Sequence, residues 1–362
     1  MNLALVHRRF TEHGGTERFL VGLARFLHGR GHAVHVYCDE IRPDLKDEPG
    51  LTFHRIRVMR LGMTVKLLSL WWSSGRAAKG GHDLVMGFGR TRGHTLWRAG
   101  GGAHAAYLQR CRPWWRLDPT AWIERALDRA AALSAARVIS PSAMAAQDLH
   151  EHYGLPLDRV RVVPNGVDTE RFRPDPQLRA QLRAAWGVGE GPVLGFLGTG
   201  FARKGLAQAA AVAEGLGLPL VVIGHDSQLP RWRRRLPNGH FLGPSNAPER
   251  LLPGLDVLIL PTQYEPYGNV CVEAMACGVV PVTTPQNGAT EVFPVEGLVG
   301  EGVAGLMAAA RRALDGGEPL RLACRERALS LPRERAFAEI ERLMLELLTP
   351  PDHRPNLLGD PR

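Results

Sequence analysis

The sequence predicts an α/β protein built of two doubly wound domains that face each other across a cleft. Three observations carry this. Apolar runs of strand length alternate with helix-forming stretches, the pattern of parallel strands covered by helices on both faces. The alternation restarts after a turn-rich gap near mid-chain. A length of 362 residues, 44% of them hydrophobic, is long for one core and comfortable for two.

In the first half, residues 3–6 predict the opening strand, and Gly14-Gly15 starts a helix reaching about Gly29. Gly31-His32 introduces a strand at 33–38, 51–58 alternates as a half-buried strand does, and 83–88 is a short apolar run. Residues 95–99 are extended, 138–140 form another strand, and a helix starts near Ser142. Residues 159–163 lead into the turn cluster Pro164-Asn165-Gly166-Val167-Asp168. The second series opens with a strand at 193–197 and a helix from about Arg203. Strands at 220–223, 241–242, 257–260 and 280–283 follow, with a helix after Gly268. Beyond Gly300 the pattern is helical to near Leu348. The expected division is 1–170 for the first domain, 171–345 for the second and 346–362 for a tail, with the linker inside 168–191.

The opening MNLALVHRRF reads as a strand, with neither a signal peptide nor a membrane span after it. Cys38, Cys111, Cys271, Cys277 and Cys324 have no metal or disulfide spacing, which predicts a reduced cytoplasmic protein. The net charge of +9 is uneven. Residues 1–185 carry 28 lysines and arginines against 17 acids, and the remainder 17 against 19. Such a surplus suits nucleic acid, an anionic membrane or a phosphorylated substrate, and arginine-rich composition alone also produces it. Trp71-Trp72 and Trp114-Trp115 lie among basic residues. Amphipathic rings beside cations suit a membrane interface, single-stranded nucleic acid, or a buried domain interface.

Chemistry concentrates at 261–293, PTQYEPYGNVCVEAMACGVVPVTTPQNGATEVF. Glu265 lies in the loop after an apolar run, and Glu273 lies in the following helix. Gly268 and Asn269 mark that helix start, where unpartnered N–H groups and the positive dipole end favour a phosphate. Two carboxylates around an anion site suit a ligand with a charged middle and hydroxyl-bearing ends, the layout of a nucleotide-sugar. A glycosidase also uses two carboxylates, but the phosphate-binding surroundings favour the first reading. In Gly198-Thr199-Gly200-Phe201-Ala202-Arg203-Lys204-Gly205, small residues admit a ligand and Arg203 and Lys204 can neutralise a diphosphate. It matches neither the NTPase loop nor G-x-G-x-x-G. Gly14-Gly15-Thr16-Glu17 could offer backbone N–H groups from the other side. His104, after Gly100-Gly101-Gly102-Ala103, either faces a ligand or is a solvated loop histidine.

Taken together, these segments resemble the retaining glycosyltransferases of family 4, with the two-Rossmann-domain GT-B fold. Within the family the chain looks most like the lipopolysaccharide core glucosyltransferase I group. The likeness runs from Gly14-Gly15 through Pro164–Asp168 and Arg203-Lys204 to the Glu265–Glu273 string. It implies that Glu265 binds donor-sugar hydroxyls and Glu273 the ribose hydroxyls. Arg203 and Lys204 would hold the diphosphate, and Gly268, Asn269 and Val270 would give backbone contacts. Gly15 would approach from the other domain, and His104 would lie beside the reacting sugar. Asn165 would belong to the crossover and be structural. The family's glycine pair after the second carboxylate appears here as Asn287-Gly288, followed by Glu291. The implied reaction moves a hexose, glucose by the resemblance, from UDP-sugar or another nucleotide-sugar to a glycan or glycolipid acceptor. No metal or other cofactor is expected, and the partners exclude nucleic acid. The expected place is the cytoplasm, peripheral at the inner face of an anionic membrane. The rivals are a nucleotide-sugar epimerase of the same architecture, a basic nucleic-acid-binding protein and a catalytically silent binding module.

Overall fold

The computed structural model describes residues 1–12 and 14–349, so residues 350–362 of the expected tail lie outside the described residues. Two parallel sheets organise the chain. From edge to edge the first runs Leu51–Arg55, Ala33–Cys38, Asn2–Val6, Leu84–Phe88, Leu96–Arg98, Arg137–Ser140 and Val160–Val162. The second runs Gly239–Gly243, Leu220–Ile223, Leu194–Leu197, Val257–Leu260 and Val280–Thr283. In each sheet the order reverses beside the lobe's first strand. The carboxyl ends of its first and fourth strands therefore flank a crevice, the usual place for a ligand in this topology.

Strand sequences follow from position in the sheet. Val257–Leu260 is apolar throughout and almost wholly buried, as a strand covered on both faces must be. Pro281 falls in Val280–Thr283, an edge strand, where a missing N–H is tolerated. Helix starts are chemically marked. Asp118 caps Pro119–Ser134, Ser142 caps Ala143–Tyr153 and Asp175 caps Pro176–Trp186, each side chain accepting from a first-turn N–H. The helix expected from about Arg203 is instead a single turn, Phe201–Lys204, followed by Leu206–Leu216.

Each tryptophan pair splits. Trp71 and Trp115 face inward, Trp115 being 8% exposed, while Trp72 and Trp114 are 63% and 79% exposed. Met63–Ser74 is a helix, and neighbouring residues on a helix point about 100° apart. The readings that bury both rings, or expose both, are corrected to one of each.

The last helix, Arg333–Leu348, does not complete the second lobe. Ala336, Phe337, Ile340, Leu343 and Met344 join the core of the first lobe, with Phe337 edge-on to Phe19 at 5.1 Å. Burying a phenylalanine contributes about 1.5–3 kcal/mol, so the second-domain limit of 345 is corrected to end before this helix. The chain thus passes between lobes twice. The two passages are tied together: Val167 N–H donates to Leu331 O at 2.9 Å, and Arg333 N–H to Val167 O at 3.1 Å.

Candidate active site

The crevice of the second lobe is built by two loops. After Leu194–Leu197 the chain turns through Gly198-Thr199-Gly200 into Phe201–Lys204. Phe201 is fully buried, and its N–H is capped by Asp226 at 2.8 Å. That anchoring aims Arg203 and Lys204 at the second loop. Lys204, only 8% exposed, contacts Glu265 through its ammonium group, and Arg203 Nη1 lies 3.5 Å from the same carboxylate oxygen. Arg203 Nη1 also donates to Tyr264 O at 3.1 Å. Burial opposes ionisation of Glu265, yet the charges of Lys204 and Arg203 outweigh it and hold the carboxyl below its ordinary pKa.

Glu265 is fixed from behind by residues that the sequence reading treated only as a departure from the family pattern. Its N–H donates to Gln286 O and its carbonyl accepts from Gly288 N–H, both at 2.9 Å. Asn287 is fully buried and donates to Thr283 Oγ1 at 3.0 Å. Gly268 takes φ 69°, and a Cβ there would overlap the Asn287 side chain. Only glycine fits both demands.

Asn269–Ala276 is the helix that follows. Its N-cap, Gly268, offers no side chain, so no side chain caps the N–H groups of Asn269 and Val270, while the Cys271 N–H donates to Gly268 O at 2.9 Å. Val270 is 9% exposed and turns inward, leaving its backbone as the part a ligand can reach. Asn269 and Glu273, one turn apart, line a cavity of about 80 Å³ between the lobes, with Gly15, Arg18, Asn165 and Arg171. The Glu273 carboxyl accepts no hydrogen bond among the described residues, and its nearest cation is Arg18 Nη1 at 3.9 Å. Burial raises its pKa, and Arg18 and Arg171 offset this only in part. The two carboxylates are therefore unlike: one is held ionised by a lysine, while the other is desolvated and short of partners.

The first lobe meets these loops closely. A Cβ on Gly15 would lie 2.8 Å from Asn269 Nδ2, so the Gly15–Gly29 helix starts directly across from the Asn269 helix start. Gly102, at φ 65°, would drive a Cβ into the Tyr264 hydroxyl, and Ala103 N–H donates to that hydroxyl at 3.2 Å. Gly102, the last of the triple glycine, thus serves contact between lobes. His104 is not a loop residue. It begins the helix His104–Cys111, is largely buried, and places Nε2 3.1 Å from Glu124 Oε2. Its N–H donates to Asp128 at 3.0 Å. Ala103 sets it beside Tyr264, next in chain to Glu265.

Asn165 does more than form the crossover. It accepts from Arg98 at 2.5 Å and donates to Asn269 Oδ1 at 2.8 Å, spanning the lobes. Glu291 of the second lobe accepts the N–H groups of Ala143 and Met144, both at 2.8 Å, where a first-lobe helix begins. Arg18, Arg98, Tyr264 and Glu124 were not singled out from the sequence. Tyr264 lies inside the 261–293 string beside Glu265, but Arg18, Arg98 and Glu124 belong to no motif, and only the fold brings them to the cleft. Among the described residues no cluster of His, Cys, Asp and Glu is arranged to hold a metal ion.

Residues 13–171 match the family model described as Glycosyltransferase Family 4, and residues 191–315 the model Glycosyl transferases group 1. The protein named "Probable transglycosylase" from Burkholderia thailandensis is 31% identical over 280 residues, 76% of this chain and 74% of its own length. A GDP-mannose-dependent alpha-mannosyltransferase of Corynebacterium glutamicum is 28% identical over 174 residues, 47% of this chain; the chain spans 40% of that relative. Among solved structures, WaaG, a glycosyltransferase involved in lipopolysaccharide biosynthesis, superposes with a TM-score of 0.76 at 22% identity, covering 96% of this chain and 99% of WaaG. Anabaena HepE in complex with UDP and glucose gives 0.71 at 17% identity, covering 96% of this chain and all of HepE.

Proposed function

The chain belongs to glycosyltransferase family 4 and has its two-lobed GT-B architecture, and we propose that it transfers a hexosyl unit from a nucleotide-diphosphate sugar with retention at the anomeric carbon. One observation carries the reading. Arg203, Lys204 and an uncapped helix start converge with Glu265 in one crevice, and the first lobe closes on it through Gly15 and Gly102.

In this reading the diphosphate takes the place beside Lys204 and Arg203 and is received by the N–H groups after Gly268. Their fixed positive charge stabilises the leaving nucleotide as negative charge develops. Glu265 then accepts sugar hydroxyls, and Glu273, short of partners, accepts the ribose hydroxyls. The acceptor hydroxyl attacks from the leaving group's face, and a departing phosphate oxygen takes its proton. His104, held by Glu124, borders the reacting sugar. No step in this scheme requires a metal. The Tyr264–Gly102 contact excludes water that would hydrolyse the donor.

UDP-glucose as donor and a lipopolysaccharide-core glycolipid as acceptor fit best. The donor reading is supported by the likeness to HepE, solved with UDP and glucose, and the acceptor reading by the basic first lobe and its exposed Leu61, Trp72, Trp114 and Leu117. No helix among the described residues is long and apolar enough to cross a membrane, and the first lobe would instead rest on the anionic inner face. The test is a panel of nucleotide-sugars scored for thermal stabilisation, then product analysis by NMR with a glycolipid acceptor. An α-linked product from an α-linked donor is expected. An inverted product, or stabilisation by no donor, defeats the proposal.

A further inference from the structure

A second crevice lies in the first lobe, where the ends of Asn2–Val6 and Leu84–Phe88 flank the point at which strand order reverses. It is a pocket of about 200 Å³ whose wall includes His7, Thr16, Arg98, Gly100 and His104. Arg98 closes its floor. The side chain is 2% exposed, with Nη2 bonded to Asn165 and its guanidinium 3.7 Å over the Phe19 ring. Nη1 is fully buried and has no hydrogen-bond partner among the described residues. It lies under Gly100 and Thr16, at the start of the Gly15–Gly29 helix.

Electrostatically this arrangement is incomplete. A buried cation without a partner is costly, and here it sits beside the positive end of a fifteen-residue helix whose N-cap provides no side-chain bond. Burial alone pulls the Arg98 pKa down to about 9. The neighbouring acids are otherwise engaged. Asp128 takes the His104 N–H and the Tyr153 hydroxyl, and Glu124 takes His104 and faces Arg90. Glu17 lies 3.8 Å from His7 and 3.7 Å from Arg9.

We infer that this pocket is a phosphoryl-binding subsite, with Arg98 Nη1 as its anchoring donor and the Gly15 helix start as its dipole partner. For its place in the reaction the inference rests on the transferase reading; the binding itself does not. The phosphoryl group has two sources, the donor diphosphate reaching across the cleft or a phosphate carried by the acceptor. Asn165 joins Arg98 to Asn269, so either occupant would also pull the lobes together.

The test titrates inorganic phosphate into the full chain, reading affinity by calorimetry and stability by thermal shift. The variants are Arg98→Met, Arg98→Lys and Lys204→Ala. Measured in the Lys204→Ala background, which disables the diphosphate site of the other lobe, Arg98→Met is expected to lose at least tenfold in phosphate affinity, and Lys204→Ala alone keeps the first-lobe response. Arg98→Met loses the Asn165 bond along with the unpaired charge, so the sign of the subsite is that its gap in stability from the parent widens when phosphate is added. Unchanged phosphate affinity in Arg98→Met, or no response in the parent chain, overturns the inference. Equal destabilisation of Arg98→Met with and without phosphate does so too, because that marks a purely structural arginine. Saturating UDP separates the sources: if it abolishes the phosphate response, the occupant is the donor diphosphate, and if the response survives, it is the acceptor's phosphate. The phosphate arm is independent of any nucleotide-sugar turnover, so its outcome and the transferase proposal stand or fall separately.

Discussion

Replacing Lys204 by methionine should damage stability and activity through different routes that one experiment can separate. Stability first: the change leaves Glu265 in the crevice without its closest cation. Breaking a fully buried pair costs about 3–5 kcal/mol, but the Glu265 side chain keeps 21% exposure and Arg203 remains at 3.5 Å. A cost of about 1–3 kcal/mol is therefore expected. Activity second: if Lys204 faces the leaving phosphate, losing it should lower kcat by roughly 10²–10³, as losing one donor from an oxyanion site does. The double variant Lys204→Met/Glu265→Gln tests the division. Neutralising the stranded carboxylate should return most of the stability, because the two residues touch and their effects couple, while turnover stays lost. Denaturant melts and initial rates on the same preparations give both numbers. A folded Lys204→Met enzyme whose kcat lies within tenfold of the parent would refute the assigned role, and a double variant no more stable than the single would refute the account of Glu265.

Three further outcomes are expected. Glu273→Gln should raise the donor KM about tenfold or more with little change in kcat, because in the proposed function its interaction lies at the ribose end, away from the bond that breaks. Equal losses in kcat and kcat/KM would place Glu273 at the reacting carbon instead. The part of the stability that rests on His94 should be lost on acidification between about pH 6.5 and pH 4, since His94 is buried against Ala131 O and its pKa is lowered to about 4, while carboxyls held below their ordinary pKa, Glu265 among them, carry the fall further. Between those values the unfolded ring binds protons that the folded one refuses, so unfolding gains about 3 kcal/mol; a melt series flat from pH 7 to 4 removes the argument. Finally, the chain should bind anionic vesicles in a salt-sensitive way, at about 1 kcal/mol per engaged basic residue, weakened by Trp114→Ser and Leu117→Ser. Equal partitioning to neutral and anionic vesicles would end the membrane assignment.

Much of this was legible in the sequence because the relevant physics is local. Short apolar runs between glycines marked the strands of both sheets, and the 261–293 string announced a helix start flanked by acids. What stayed hidden depends on contacts between distant segments. The stripe of Phe337, Ile340 and Met344 shows that the last helix buries a face, yet nothing in it says against which lobe. His104 followed three glycines and so resembled a loop, whereas the last of them, Gly102, lets Tyr264 approach. Arg98 sits in a short strand with no motif around it, and only the fold reveals that its second nitrogen is stranded. The split of each tryptophan pair likewise required knowing which way the helix Met63–Ser74 and the turn at Trp115–Leu117 face.

The paired passages at Val167 and Leu331–Arg333 have a mechanical consequence. A two-ply ribbon twists more readily than it shears, so the halves of this protein should swivel about it rather than slide. The compartment holding Glu273 is bordered by Val167 and Arg333 themselves and lies almost on that pivot, whereas the one holding His104 has no wall from the ribbon. On the proposed function, a small rotation would then throw open the sugar end while the nucleoside end hardly moves, letting the lengthened glycan depart before the spent nucleotide.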